Sequence, residues 1–397
     1  MVGSAQARDG HLLMVCRDVT VMTDRGSRQA GKGVRVAGAW LLALSFVAIG
    51  LLVPATDSFM IDTPAPVFTW NGEPFRPVGV NYYPRDRPWE GTWTYFNETI
   101  IQQDLARVKA LGGNCVRTFI QWRLVEPEAG MFNEMIISRV EAFYDLASEA
   151  GIAVMLSFFD YGPPEWSGAV GKDGDEMYVD PYLIERQIAQ LEYVIPRLMN
   201  KTAAFMWDLR NEPSSTTVTR EQFAGWVATL VAAVRAIDDE RLVVVGGGWG
   251  NFENPSIYAD LDVDAVCMHF YRSRDSPAWR REFERYTAMF LATGKPVILQ
   301  EFGWPSYDGY GITEEMQASY YKGIFDASDK LGVAGIMPWC LWDYPVDLDW
   351  SGTGDHSEEH YGLLRVDGSW KPAAHAFRDY ATGVHQRSWT FGLGGRF

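Results

Sequence analysis

The chain has 397 residues, 47% hydrophobic and 22% charged, a composition that excludes a disordered protein and supplies a sizeable core. Its 51 acids against 35 Lys and Arg give a net charge of −16, which excludes a nucleic-acid surface built on a basic stripe. Four cysteines without a CxxC pair exclude a disulfide scaffold, and six histidines without HExxH or HxH disfavour a metal-centred hydrolase. No metal is expected.

In chain order, residues 1–33 are polar, Gly-rich and unpatterned, and read as a disordered segment on the cytoplasmic side. Residues 34–54 hold an uncharged apolar run that begins after Arg35, short for a spanning helix and long for a signal-peptide core. Basic residues before it and Asp57 and Asp62 after it place the remainder outside the membrane, either secreted after cleavage near Val53-Pro54-Ala55 or tethered to the cell surface. Residues 55–66, flanked by Pro54 and containing Pro64, form a linker. A folded domain is expected over 67–382 and a tail over 383–397.

Within that domain, 68–75 reads as a hairpin about an Asn71-Gly72 turn. Short apolar runs follow at 77–82, 114–120, 153–159, 203–209, 242–246, 265–270, 297–300 and 335–341. Helical stretches lie between them at 98–111, 134–150, 181–200, 219–238, 277–293 and 314–331. The connection 251–261 holds at most a short helix, and 372–380 closes the order. Eight strands alternating with helices predict an α/β fold, a (β/α)8 TIM barrel with a small N-terminal β-hairpin. A doubly wound sheet is the alternative, but no GxGxxG follows the first strand. Cys115, Cys267 and Cys340 fall on strands and read as buried thiols.

Two apolar runs end in acids. The fourth leads through Trp207-Asp208-Leu209-Arg210 to Asn211-Glu212-Pro213, and the seventh to Glu301-Phe302-Gly303. In a parallel barrel the C-terminal strand ends meet at one pocket, so Glu212 and Glu301 face each other there. Two carboxylates across a pocket suit glycoside hydrolysis, one protonating the leaving oxygen and the other attacking the anomeric carbon.

Those motifs resemble clan A glycoside hydrolases, nearest to family 5, the cellulase and β-mannanase family. The resemblance covers 67–380 and implies that Glu212 is the acid/base and Glu301 the nucleophile. It implies supporting roles for Arg117 beside the nucleophile, for His269 and Tyr271 in His269-Phe270-Tyr271, and for Trp339 as the floor of the sugar site. Physically, a guanidinium favours an ionised Glu301, Tyr271 donates to it, Asn211 suits a sugar 2-hydroxyl, and Trp339 offers a face to a pyranose. Arg117 as a buried ion-pair partner and Trp339 as a core residue are the structural alternatives.

The chain departs from the family at the third strand, where Asp160 stands in place of a frequent histidine; Asp160 either binds a sugar hydroxyl or marks a different subsite. Long loops at 161–180 and 343–368 rise on the catalytic face. The second carries Trp350, Asp355, His356, Glu358, Glu359 and His360, of which Asp355, His356 and Glu358 read as part of a solvated acidic loop rather than a metal cluster. Trp89, Trp122, Trp342 and Trp350 are candidate sugar platforms. The expectation is a monomeric retaining hydrolase of β-mannan or β-glucan that needs no cofactor, with an exo-acting β-galactosidase or β-mannosidase or a non-catalytic carbohydrate-binding barrel as alternatives.

Overall fold

The computed structural model describes residues 68–160, 162–169, 174–271, 278–346 and 354–393. The predicted segments 1–33, 34–54 and 55–66 lie outside them, as do Cys16, Trp350 and parts of both long loops. Among the described residues no helix is long and apolar enough to cross a membrane.

Eight parallel strands order the domain: β1 (Gly79–Asn81), β2 (Cys115–Gln121), β3 (Ala153–Asp160), β4 (Ala204–Asp208), β5 (Leu242–Val244), β6 (Val266–Tyr271), β7 (Val297–Gly303) and β8 (Gly335–Ile336). β1 to β5 pair in sequence, as do β6 to β8. A parallel bridge from Val78 to Ile336 joins the last strand to the first, and Asp264 N–H donates to Val243 O at 2.9 Å across the remaining seam. The sheet is a closed (β/α)8 barrel, as the alternation predicted. β2, β3 and β7 are buried along their whole length because helices cover one face and barrel side chains the other, which is why they read as largely apolar runs.

The long helices among the described residues are α1 (Glu98–Ala110), α2 (Glu134–Ala150), α3 (Pro181–Leu198), α4 (Arg220–Ile237), α5 (Trp279–Leu291), α6 (Glu314–Leu331) and α7 (Pro372–Leu393). Their ends follow local chemistry. Asn133 caps α2 and left-handed Gly151 stops it, while Thr219 and Gln222 form a capping box on α4. Only a 3-10 turn, Pro255–Tyr258, stands where a helix would follow β5. α7 runs past the predicted end at 380 because Ala381 and Val384 keep its apolar stripe buried.

Barrel interior and hairpin form one core. Asn71 and Gly72 both have positive φ, the turn that a two-residue hairpin requires. The hairpin brings Phe68 and Phe75 edge-on to Phe205, with ring centroids 6.2 and 4.9 Å away. Cys115, Met155, Met206, Cys267 and Ile298 continue this core inside the barrel. The three cysteines named are free and buried, as expected, and burial pushes their thiols upward in pKa.

Candidate active site

The C-terminal ends of the strands converge on a cavity of about 230 Å³. Of the predicted residues, Asp160, Asn211, Glu212, Tyr271, Glu301 and Trp339 line it. Glu301 lies within β7 rather than after it, because the strand continues to Gly303. β4 stops at Asp208, so Glu212 sits four residues beyond it, in a left-handed conformation with φ 43°. Such backbone is uncommon for a non-glycine residue and turns the Glu212 side chain toward the barrel axis. One oxygen of each carboxylate and a ring nitrogen of His269 lie within 4.8 Å of one another.

The two acids have different surroundings. Glu301 Oε1 accepts from Arg117 Nη1 at 2.5 Å and Oε2 from Tyr271 Oη at 2.6 Å. Arg117 is fully buried and also donates to Asp208 Oδ2 through Nε (3.0 Å) and Nη2 (2.9 Å), to Asn211 (2.8 Å) and to Asn81 (3.1 Å). Burial opposes its charge, but Asp208 and Glu301 outweigh that and hold it protonated. Burial, then Glu301 and Glu212, push the Tyr271 hydroxyl well above its usual range, so it remains a donor.

Glu212 instead faces a histidine, with Oε1 2.9 Å from His269 Nδ1. Burial lowers the His269 pKa, but Glu301 and the hydrogen-bonded Glu212 more than offset this and leave it raised. The loop after β5 has room to pass this ring only because residue 247 is glycine: a Cβ there would lie 2.9 Å from the imidazole. Asn211 is tied at both ends of its amide, Oδ1 accepting from Arg117 and Nδ2 donating to Asp160 Oδ1 at 3.0 Å. Asp160 Oδ2 accepts from Tyr83 Oη at 3.0 Å and Gln121 Nε2 at 3.2 Å. One N–H of Asn211 is left to meet a ligand.

Aromatic rings shape the rest. Trp339 is half-buried, edge-on to Phe119 and Tyr83, and these two stack on each other at 5.1 Å. Regular pairing of the segment carrying Trp339 ends at Ile336; Met337 N–H still bonds Leu299 O, but Pro338 cannot donate, so β8 is shorter than predicted. Trp339 N–H still bonds Phe302 O and Leu341 N–H bonds Asn81 O, which pins the segment over the barrel mouth. Trp89 and Tyr361 complete the wall.

Two expectations need correction. Trp342 is not in the cavity: it is buried under the guanidinium groups of Arg85 and Arg107, because its chain turns back into a bridge with Leu364. Trp122 is likewise a core residue, donating to Glu126. The segment around Glu358 is not merely a solvated loop. Residues 357–360 form a 3-10 turn with Glu359 fully buried, and Glu358 enters the cavity to accept from Trp339 Nε1 at 3.0 Å. Tyr83, Phe119, Glu358 and Tyr361 were not singled out as site residues. Tyr83 closely follows the first strand, a position that could have been flagged, but nothing local marks Glu358 or Tyr361.

Among the described residues two sets of groups approach as ligands of a cation would. In Glu212, His269 and Glu301 the histidine hydrogen-bonds Glu212, and Arg117 already places a positive charge on Glu301. In Asp355, Glu359 and His360 the last residue pairs with Asp355 at 2.7 Å at the exposed edge of the loop.

A buried arginine on one carboxylate, a histidine on the other and an aromatic floor within a (β/α)8 barrel define the class: a barrel with a glycoside-hydrolase type of carboxylate pair. A profile described as Cellulase (glycosyl hydrolase family 5) matches residues 71–345, and the chain belongs to that family. It is 25% identical over 227 residues to mannan endo-1,4-beta-mannosidase A of Emericella nidulans, covering 52% of this chain and 57% of the relative. To mannan endo-1,4-beta-mannosidase 3 of Solanum lycopersicum it is 24% identical over 370 residues, covering 77% and 87%. An exo-beta-1,4-mannosidase from Opitutaceae bacterium strain TAV5 superposes with a TM-score of 0.70 at 25% identity, covering 82% of this chain and 62% of that one. The chain spans 53% to 64% of the length of the first few curated relatives it matches.

Proposed function

We propose that this protein is a retaining glycoside hydrolase acting on β-mannosidic linkages, with Glu301 as nucleophile and Glu212 as acid/base. One observation carries the reading: two carboxylates with oxygens within 4.8 Å, one held by Arg117 and Tyr271 and the other by His269. Inverting enzymes separate their carboxylates by about 6.5–9.5 Å to admit a water, so the shorter spacing supports direct attack. Glu301 forms a bond to the anomeric carbon as the glycosidic C–O bond breaks; the leaving oxygen keeps the electron pair and takes the proton of Glu212. Glu212 then removes a proton from water, whose oxygen displaces Glu301 and restores both acids. The choice of β-mannoside follows the mannosidase relatives. Residues 34–54 act as an export signal or anchor, which places the 67–382 domain outside the cell.

The test incubates purified protein with β-mannan, manno-oligosaccharides, β-glucan and aryl β-mannosides, following the first-formed anomer by proton NMR. Hydrolysis of the mannosides with β-product first supports the proposal. An α-anomer first would refute retention, and hydrolysis of β-glucan alone would refute the sugar.

A further inference from the structure

We propose that Gln300 is a positioning residue that decides which nitrogen of His269 carries hydrogen, and thereby keeps one proton on the Glu212–His269 pair. Its catalytic consequence rests on the acid/base role proposed for Glu212. The pairing of β6 with β7 is irregular here: Met268 lies opposite Leu299, but His269 lies opposite Glu301. Gln300 is the extra residue: alternation from Ile298, which lies inside the barrel, already turns Gln300 inward, and the bulge interrupts the alternation that would turn Glu301 away. Gln300 and Glu301, adjacent in sequence, therefore both reach the site.

Hydrogen bonding then leaves a single arrangement. Asp208 Oδ2 already receives two N–H groups of Arg117, so it accepts, and the group of Gln300 at 2.9 Å from it must be the amide nitrogen. The amide oxygen is thereby turned to His269 Nε2, also at 2.9 Å, and can only accept. His269 Nε2 thus bears hydrogen in either charge state of the ring. At Nδ1, 2.9 Å from Glu212 Oε1, two states satisfy both atoms: neutral imidazole accepting from protonated Glu212, or imidazolium donating to the carboxylate. Each keeps one proton between the two residues. The other neutral tautomer, which would let Glu212 ionise while still accepting from Nδ1, leaves Gln300 Oε1 facing a bare nitrogen. The charged groups around the ring are Glu212 from the loop after β4, Glu301 from β7 with Oε2 at 3.5 Å, and Arg117 from β2; their balance with burial raises the His269 pKa.

The test uses the full chain labelled with 15N-histidine, with His269 assigned by comparison with His269→Asn. Between about pH 5 and 9 the Nε2 resonance is expected to keep its bonded proton while Nδ1 alone shifts. An Nδ1–H, bare-Nε2 ring at any pH in that range overturns the proposal, and this measurement needs no variant of Gln300. Gln300→Leu is then expected to release Nε2–H into a mixture of tautomers. It should also lower kcat/KM on an aryl mannoside with a poor leaving group about 10- to 100-fold more than on a dinitrophenyl mannoside, which has little need of an acid. An unchanged tautomer, or equal losses on both substrates, overturns the proposal. Were the wild type inactive on all glycosides, the proposed function would fall while the nitrogen resonances still decided the tautomer.

Discussion

Arg117→Lys separates charge from geometry at the centre of the site. The guanidinium donates five hydrogen bonds to four side chains: two to Asp208 and one each to Glu301, Asn211 and Asn81. A lysine keeps the charge but has three N–H groups radiating from one atom, so at least two of the five bonds are lost. Hydrogen bonds to charged partners are worth about 1.5–3 kcal/mol each, which sets the expected loss of stability at about 3 kcal/mol or more. Glu301 and Asn211 also lose their fixed orientation, and kcat/KM should fall about 100-fold, since each 1.36 kcal/mol of transition-state stabilisation is tenfold in rate. Urea unfolding midpoints at constant m give the first quantity and aryl β-mannoside kinetics the second. Arg117→Met, which leaves Asp208 and Glu301 without their shared cation, should be worse by a further few kcal/mol. If Arg117→Lys stayed within about 0.5 kcal/mol and threefold of wild type, the fork geometry would not be what organises this site.

Three further outcomes follow from the geometry. Tyr271→Phe removes the 2.6 Å bond to Glu301 Oε2 and should lower kcat about tenfold with little change in urea midpoint; a large loss of stability with unchanged kcat would contradict it. Asp160→Ala frees the Asn211 amide to rotate and should lower kcat/KM about 10- to 100-fold on a mannoside, but much less on its 2-deoxy analogue; equal losses on the two would show that Asn211 does not read the 2-hydroxyl. Burial raises the Asp104 carboxyl to about 6, against the lowering hydrogen bond from Tyr82. Because this folded value lies above the ordinary one, ionisation opposes folding: the penalty is absent below about pH 4, grows as pH rises and is complete above about pH 6. Asp104→Asn should therefore stabilise the protein by up to about 3 kcal/mol at pH 8 and by little at pH 4, and a gain independent of pH would exclude titration as its source.

Much of the fold was legible because strands covered on both faces leave largely apolar runs. Val297 to Leu299 and Ala153 to Phe159 are such runs, the second broken only by Ser157, and the amphipathic stretches between them matched α2 and α6 at both ends. Where Pro338 lacks a donor, the apolar character continues with only scattered hydrogen bonds to the neighbouring strands, so β8 read longer than it is. Platform tryptophans could not be told from packing ones, because an indole is apolar in either setting: Trp339 and Trp89 line the cavity while Trp122 and Trp342 are buried in the core.

The sequence by itself determined the order of eight strands and their helices and the placing of Glu212 and Glu301 near the ends of the fourth and seventh, since period and punctuation are local properties of the chain. Only the tertiary structure decided what each acid faces. The β6–β7 bulge that lets Glu301 face inward beside Gln300, the two-ended tethering of Asn211 and the turn that carries Glu358 to Trp339 arise where distant segments meet. Such contacts depend on register and loop path in three dimensions, and no short-range pattern of residues encodes them.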